Sequence, residues 1–310
     1  MADSPANSTG TRCLDTTELI AVDPVVLLVI AGMLSFLALL SLIGNVITVL
    51  VIYRVAVLHK PVFVFTANIA CADILMTLLN VFYTIACLVL RPSTFVFSPV
   101  LCTVQTHVSY ITSTTVVCFL AVTAVYRMAQ VCCHSTFERI NSVKWMVLMS
   151  VLAWGVPAIL SGLFSGKARY YPFRYGCYFS INPLLFILAG VMYVPMSTLF
   201  VVSYVKVMIF VRKSRRQIQV SVDEQATIDR ELSVYRPVLV IFFIFMAMFI
   251  IPGIFYQMAL SYGQPYKPAL DLAGSLVTRM RPVFNLMAVI VTSTNFRNAL
   301  WNNFRFRCIT

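Results

Sequence analysis

Several ionisable side chains of this chain stand where an ionised group is costly. Asp73, Arg279 and Arg281 lie within long apolar runs, and Arg127 closes another run that opens with Cys102 and holds no Asp, Glu, Lys or Arg in between. An ionised group at the centre of a bilayer costs about 2.5–3.5 kcal/mol on insertion scales unless it faces a polar interior, so each such residue needs a partner or a task. The chemistry open to them is ion pairing, capture of a charged ligand, or contact with a partner at a membrane surface. Catalysis is not supported: no nucleophile, base and orienter can be assembled. A metal centre is not supported either. His59, His107 and His134 are far apart, no CxxC occurs, and the adjacent Cys132 and Cys133 have no set of ligand partners nearby.

The elements that position these residues are membrane spans. Of the 310 residues 60% are hydrophobic and 11% charged, which marks an integral membrane protein. Seven apolar segments of spanning length can be marked at roughly 25–53, 62–89, 101–126, 145–164, 184–210, 237–261 and 269–292. The run from Cys102 to Arg127 is the third of them and crosses a hydrocarbon core about 30 Å thick, so its ends lie in different compartments. The net charge of +12 comes from bases in the connections, which reads as loop charge and not as a nucleic-acid surface. Fifteen Lys and Arg fall in the odd-numbered connections and the C-terminus against six in the N-terminus and the other connections. That bias predicts an extracellular N-terminus and a cytoplasmic C-terminus.

Residues 1–24 read as an extracellular tail, 25–292 as the seven-span domain, and 293–310 as a cytoplasmic amphipathic helix and tail. The tail shows no cleavable signal, so the first span is expected to direct insertion. It carries the sequon Asn7-Ser8-Thr9, a glycosylation site if the tail is outside. Phe296, Leu300 and Phe304 recur at helical spacing after the seventh span, as in a helix lying on the inner leaflet. Cys308 at its end is either a palmitoylation site or a lone cytosolic thiol.

Gly44-Asn45 in the first span, Asn68 to Asp73 in the second, Cys102 ahead of Arg127, Trp154 with Pro157, Pro195 and Pro252 together resemble the rhodopsin-like (class A) G-protein-coupled receptors, from about Gly44 to Phe304. The fold class implied is an all-α seven-transmembrane helix bundle with a short amphipathic C-terminal helix. The resemblance implies a disulfide between Cys102 and Cys177, which an oxidising compartment permits. It implies a polar cluster of Asn45, Asp73 and Asn285, acting either as a structural hydrogen-bond set or as a switch. No organic cofactor is implied. A sodium ion can be held by such a cluster in this family, but Val116 stands where a serine is frequent and argues against it. Arg127 is the residue that would meet a heterotrimeric G protein.

Several departures are evident. Tyr126 replaces the acid beside Arg127, Phe249-Ile250-Ile251-Pro252 lacks the aromatic toggle, Asn285-Leu286-Met287-Ala288-Val289 lacks proline and tyrosine, and Tyr204 lies one residue beyond its expected place. On the ligand side, Ser109 stands where amine receptors carry aspartate, and Arg279 where opsins carry their retinal-linking lysine. Arg279 and Arg281, about 200° apart on a straight helix, are expected to face different ways. Arg279 is read either as a clamp for an anionic small molecule or as half of an internal salt bridge, for example to Asp271. Ser109, Tyr110, Ser113 and Tyr256, with His107, Thr114 and Tyr193, are candidates to line the cavity or to serve as plain interhelical packing. Leu58-His59-Lys60-Pro61 resembles a motif of odorant receptors. The expectation is a plasma-membrane receptor for a small extracellular ligand, anionic or odorant-like, signalling through a G protein. The rival readings are a seven-helix scaffold or dimer partner without coupling and, further off, a transporter, for which no internal repeat is visible.

Overall fold

The computed structural model describes residues 23–90, 98–163, 168–171, 175–179, 183–217, 268–292 and 296–301. Five helices among them are long and apolar enough to cross a membrane. They are Pro24–Arg54, Pro61–Leu90, Pro99–Cys132, Val143–Gly162 and, within Pro183–Gln217, Gly190–Phe210. The seventh segment forms the helices Pro268–Arg279 and Arg281–Thr292. The sixth segment lies outside the described residues, and with it Phe249, Pro252 and Tyr256; so do Asn7 and Cys308.

The first three spans open on proline, where the missing N–H would have had no helical partner and the fixed φ suits the first turn. Asp23 caps the first by accepting from Val25 N at 2.8 Å, and Ser142 caps the fourth by accepting from Trp145 N at 3.3 Å. Hydroxyls inside the spans turn back onto their own helix. Thr48, Thr66, Thr106 and Thr112 each donate to the carbonyl four residues earlier, which satisfies them where no water is at hand.

The third span is the central rod. Half of its most apolar window is buried inside the protein, against 11% for the fourth span, whose outer face is Val, Leu and Ile suited to lipid. Cross-links between helices are few and specific. Trp154 Nε1 donates to Asn68 Oδ1 at 3.0 Å, Thr115 donates to the Ala153 carbonyl at 3.0 Å, and Phe65 packs between Phe119 and Trp145. Phe200 and Tyr204 of the fifth span stack at 4.5 Å beside Ala124.

Two features depart from a plain bundle. The connection after the fourth span folds into a hairpin, β1 Ala168–Tyr171 antiparallel to β2 Gly176–Phe179, with Tyr170 opposite Cys177. Strand pairing satisfies backbone groups that would otherwise be stranded over the helices, and the aromatic residues on both strands favour it. The second departure is a break in the seventh span. Pro282 has no N–H to give and its ring obstructs the preceding turn, so the helix stops at Arg279, turns at Met280 and restarts at Arg281. Arg279 and Arg281, expected to face different ways, meet different residues, Thr84 for the first and Asp73 for the second. Both side chains are buried and both reach the second span.

Residues 296–301 form a helical turn after the seventh span. Phe296 is buried against Val51, Ile52, Leu58 and Phe63, and Arg297 donates to the carbonyls of Ile290 and Val291 at the end of the seventh helix. At Gly44 the first and seventh spans come so close that a Cβ would lie inside contact distance of Leu286. Gly44→Val is expected to destabilise the protein by about 1–3 kcal/mol through overpacking, more than the few tenths gained in helix propensity. A thermal unfolding midpoint in detergent that falls for Gly44→Val, and recovers in part with Leu286→Ala added, is the check.

Candidate functional site

At the Cys102 end of the third span, Cys102 and Cys177 are bonded, with their Cα atoms 5.4 Å apart. Cys177 N donates to Gln105 Oε1 at 3.0 Å, and the Tyr83 hydroxyl lies 3.4 Å from Cys177 Sγ. β2 is thereby tied to the second and third spans. Burial pushes the Tyr170 phenol, on the paired strand, well above the usual tyrosine range, so it stays protonated.

Two aromatics of β2 face different helices. Phe179 meets His107 and Tyr110 edge-on, with centroids at 5.1 and 5.9 Å. Tyr178 places its hydroxyl 3.2 Å from Ser275 Oγ, and its ring lies 5.9 Å from Arg279 Cζ. Arg279 is 3% exposed; its Nε donates to Thr84 Oγ1 and its Nη1 to the Ser275 carbonyl and hydroxyl. The Asp271 side chain lies outside what is described.

Ser109 and Tyr110 are half-buried and Ser113 is buried, all on the third span, and Tyr110 reaches β2 through Phe179. Thr114 and the Tyr193 hydroxyl are 3.3 Å apart and join the third span to the fifth. His107 bonds to Ser161 of the fourth span, which makes it an interhelical tie. The structure therefore brings Tyr110 and Arg279 against one strand, Tyr110 through Phe179 and Arg279 through Tyr178.

In the middle of the bundle Asp73 is fully buried. Asn285 Nδ2 donates to its Oδ2 at 2.8 Å, and Arg281 Nη2 lies 3.6 Å from its Oδ1. Asn45, expected in the same set, donates from its Nδ2 to the Ser41 carbonyl at 2.9 Å and the Ser41 hydroxyl at 3.1 Å. Asn45 reaches Asp73 through Ser41, whose hydroxyl lies 3.5 Å from that of Thr77, and Arg281 joins Asn285 at the carboxylate itself. Just above, the second helix widens into a single π-turn, Thr77–Val81, and Thr77 returns a hydrogen bond to the Asp73 carbonyl at 2.8 Å. A sodium ion does not fit this donor set. One carboxylate oxygen faces a guanidinium, the other an amide N–H, and Val116, fully buried beside Ala72, offers no oxygen.

At the other end of the third span, Tyr126 is buried, donates to Asn141 Oδ1 at 3.0 Å and packs edge-on against Phe137 at 5.4 Å. Arg127 is half-buried and donates to Gln130 Oε1 at 3.4 Å; among the described residues it makes no ion pair. The phenol that replaced the acid therefore serves the short helix His134–Ile140 and its end, and leaves Arg127 without the neighbouring carboxylate that would hold it.

Sequence reasoning missed Arg281 as the partner of Asp73, although the two are opposite charges within apolar runs. It also missed Thr84, Ser275 and Tyr178 around Arg279, which had no signal in sequence. Removing Arg281 alone leaves an uncompensated buried carboxylate, a loss of about 3–5 kcal/mol. Arg281→Gln is expected to lose that amount, and Asp73→Asn with Arg281→Gln to regain most of it, read as unfolding midpoints in a double-mutant cycle.

With this geometry in view, the model of the seven-transmembrane receptor (rhodopsin family) matches residues 44–295, all but the two ends of the chain. The match runs through the Gly44 contact, the Asp73 cluster, the bonded Cys102 and Cys177, and Arg127. The chain belongs to the rhodopsin family of seven-transmembrane receptors.

Proposed function

We propose that this multi-pass membrane protein is a plasma-membrane receptor that takes a small anionic ligand at its Cys102 end and signals to a heterotrimeric G protein at its Arg127 end. In this reading the N-terminus is extracellular, Asn7 is glycosylated, and the C-terminal turn with Cys308 lies at the cytoplasmic leaflet. The observation that carries it is Arg279, a guanidinium fixed by Thr84 and Ser275 beneath the Tyr178 ring. A guanidinium offers five N–H donors in a fixed fork, and a carboxylate arriving there takes charge-assisted hydrogen bonds from it. Ser109, Tyr110, Ser113 and Tyr256 are the further ligand contacts in this reading. Odorant-like acids are the first class to try, given Leu58 to Pro61.

A ligand of this kind acts by favouring one of two pre-existing arrangements of the bundle. Arg127 is the contact for the G protein, and the basic connections around Lys206 to Arg216 suit an acidic partner surface. The rival reading, a seven-helix scaffold without coupling, is favoured by Tyr126, whose bond to Asn141 spends the position that a resting-state acid would occupy.

The test is second-messenger output from the surface-expressed receptor across a panel of small acids. Arg279→Gln is expected to raise the half-maximal concentration of a responding acid about 10- to 100-fold, the worth of hydrogen bonds to a charged group. Equal potency in Arg279→Gln would end the anion reading. In the same cells Tyr126→Asp is expected to lower ligand-free signalling, because the new carboxylate draws Arg127 inward; unchanged basal output would show that the acid's loss has no such effect. Silence in every assay despite full surface expression favours the scaffold.

A further inference from the structure

We infer that Arg281 is a built-in cation: it takes the place of a bound sodium ion at Asp73, so the bundle of this chain binds none there and its folded state is indifferent to sodium. The charge at the site is already balanced. Asp73 and Arg281 are 0% and 1% exposed and 3.6 Å apart, and a sodium ion beside that pair sets two positive charges against one carboxylate away from water. Hard cations take several oxygens. Among the described residues the carboxylate is met instead by a guanidinium and by an N–H of Asn285, and Val116 beside Ala72 is apolar.

The tether changes the physics of the lock. A diffusible ion stabilises a site by mass action, in proportion to the logarithm of its concentration. Arg281 is covalently part of the seventh span, so its occupancy at Asp73 does not vary with salt composition. At Asp73 the second and seventh spans are joined by the Arg281 ion pair and the Asn285 bond whatever the ionic environment. The inference is independent of ligand and G protein, and its test reads stability alone.

The experiment uses the full chain in detergent micelles or nanodiscs, unfolded by heat with a thiol-reactive dye that reports the buried Cys87 and Cys118. Sodium chloride is compared with choline chloride at equal ionic strength. The wild type is expected to melt at the same temperature in both salts. Arg281→Gln is expected to melt several degrees lower in choline and to recover part of the loss in sodium, while Arg281→Lys, which keeps a tethered cation, stays indifferent. A wild-type midpoint raised by sodium over choline overturns the inference, and so does Arg281→Gln melting with the wild type in choline. Should Arg281→Gln not fold in either salt, the pair Asp73→Asn with Arg281→Gln decides. A folded, sodium-indifferent double variant supports the inference, and failure of the double to fold overturns it.

Discussion

Hydrocarbon solvates no charge, so a carboxylate placed at the centre of a helical bundle obliges the surrounding chain to arrange itself about it. In this protein Asp73 is that carboxylate, and much of the inner packing follows from meeting its demand. The seventh span breaks at Met280 and presents Arg281 to one oxygen, while Asn285, a turn further on, bonds the other. The seventh span can press that close because Gly44 on the first has no side chain to hold Leu286 away. One interaction therefore accounts for an arginine inside a span and for the tie between the second and seventh spans.

The same scarcity of water explains the Cys102 end. Backbone lying over a bundle must find partners, and the β-hairpin supplies them for itself while the bonded cysteines, Gln105 and Tyr83 tie it to the spans below. Once tied, its two aromatic residues are fixed over different helices. Tyr178 and Phe179 then define the surroundings of Arg279 and Tyr110, residues on separate spans that share no local sequence. At the opposite end the third span reaches Arg127 with an uncharged partner, and the neighbouring Tyr126 is engaged by Asn141. Among the described residues the contacts of Tyr126 and Arg127 are hydrogen bonds and ring packing.

Much of the fold was legible in the sequence because apolar runs of spanning length need no tertiary information. The first five segments all form helices, four of them opening on proline, and the third and fifth run six and seven residues past the ends that hydropathy marks. Asn285 as a partner of Asp73 was legible through a family resemblance. The hairpin was not, since four-residue strands carry too little periodicity to be told from loop. Arg281 was left without a partner because its pairing with Asp73 depends on how the second and seventh spans pack, which no local pattern encodes.

The sequence by itself determined that the chain spans a membrane repeatedly, which helices it forms, and that Asp73, Arg279 and Arg281 would need partners inside them; composition and the cost of charge in hydrocarbon are local facts. Only the tertiary structure decided which partner each one took. Asp73 met Arg281 and Asn285 rather than Asn45, and Arg279 settled on Thr84, Ser275 and the Tyr178 ring. The physical reason is that such partners lie up to 212 residues away along the chain. Their meeting depends on the close approach of whole spans, which no spacing of letters contains.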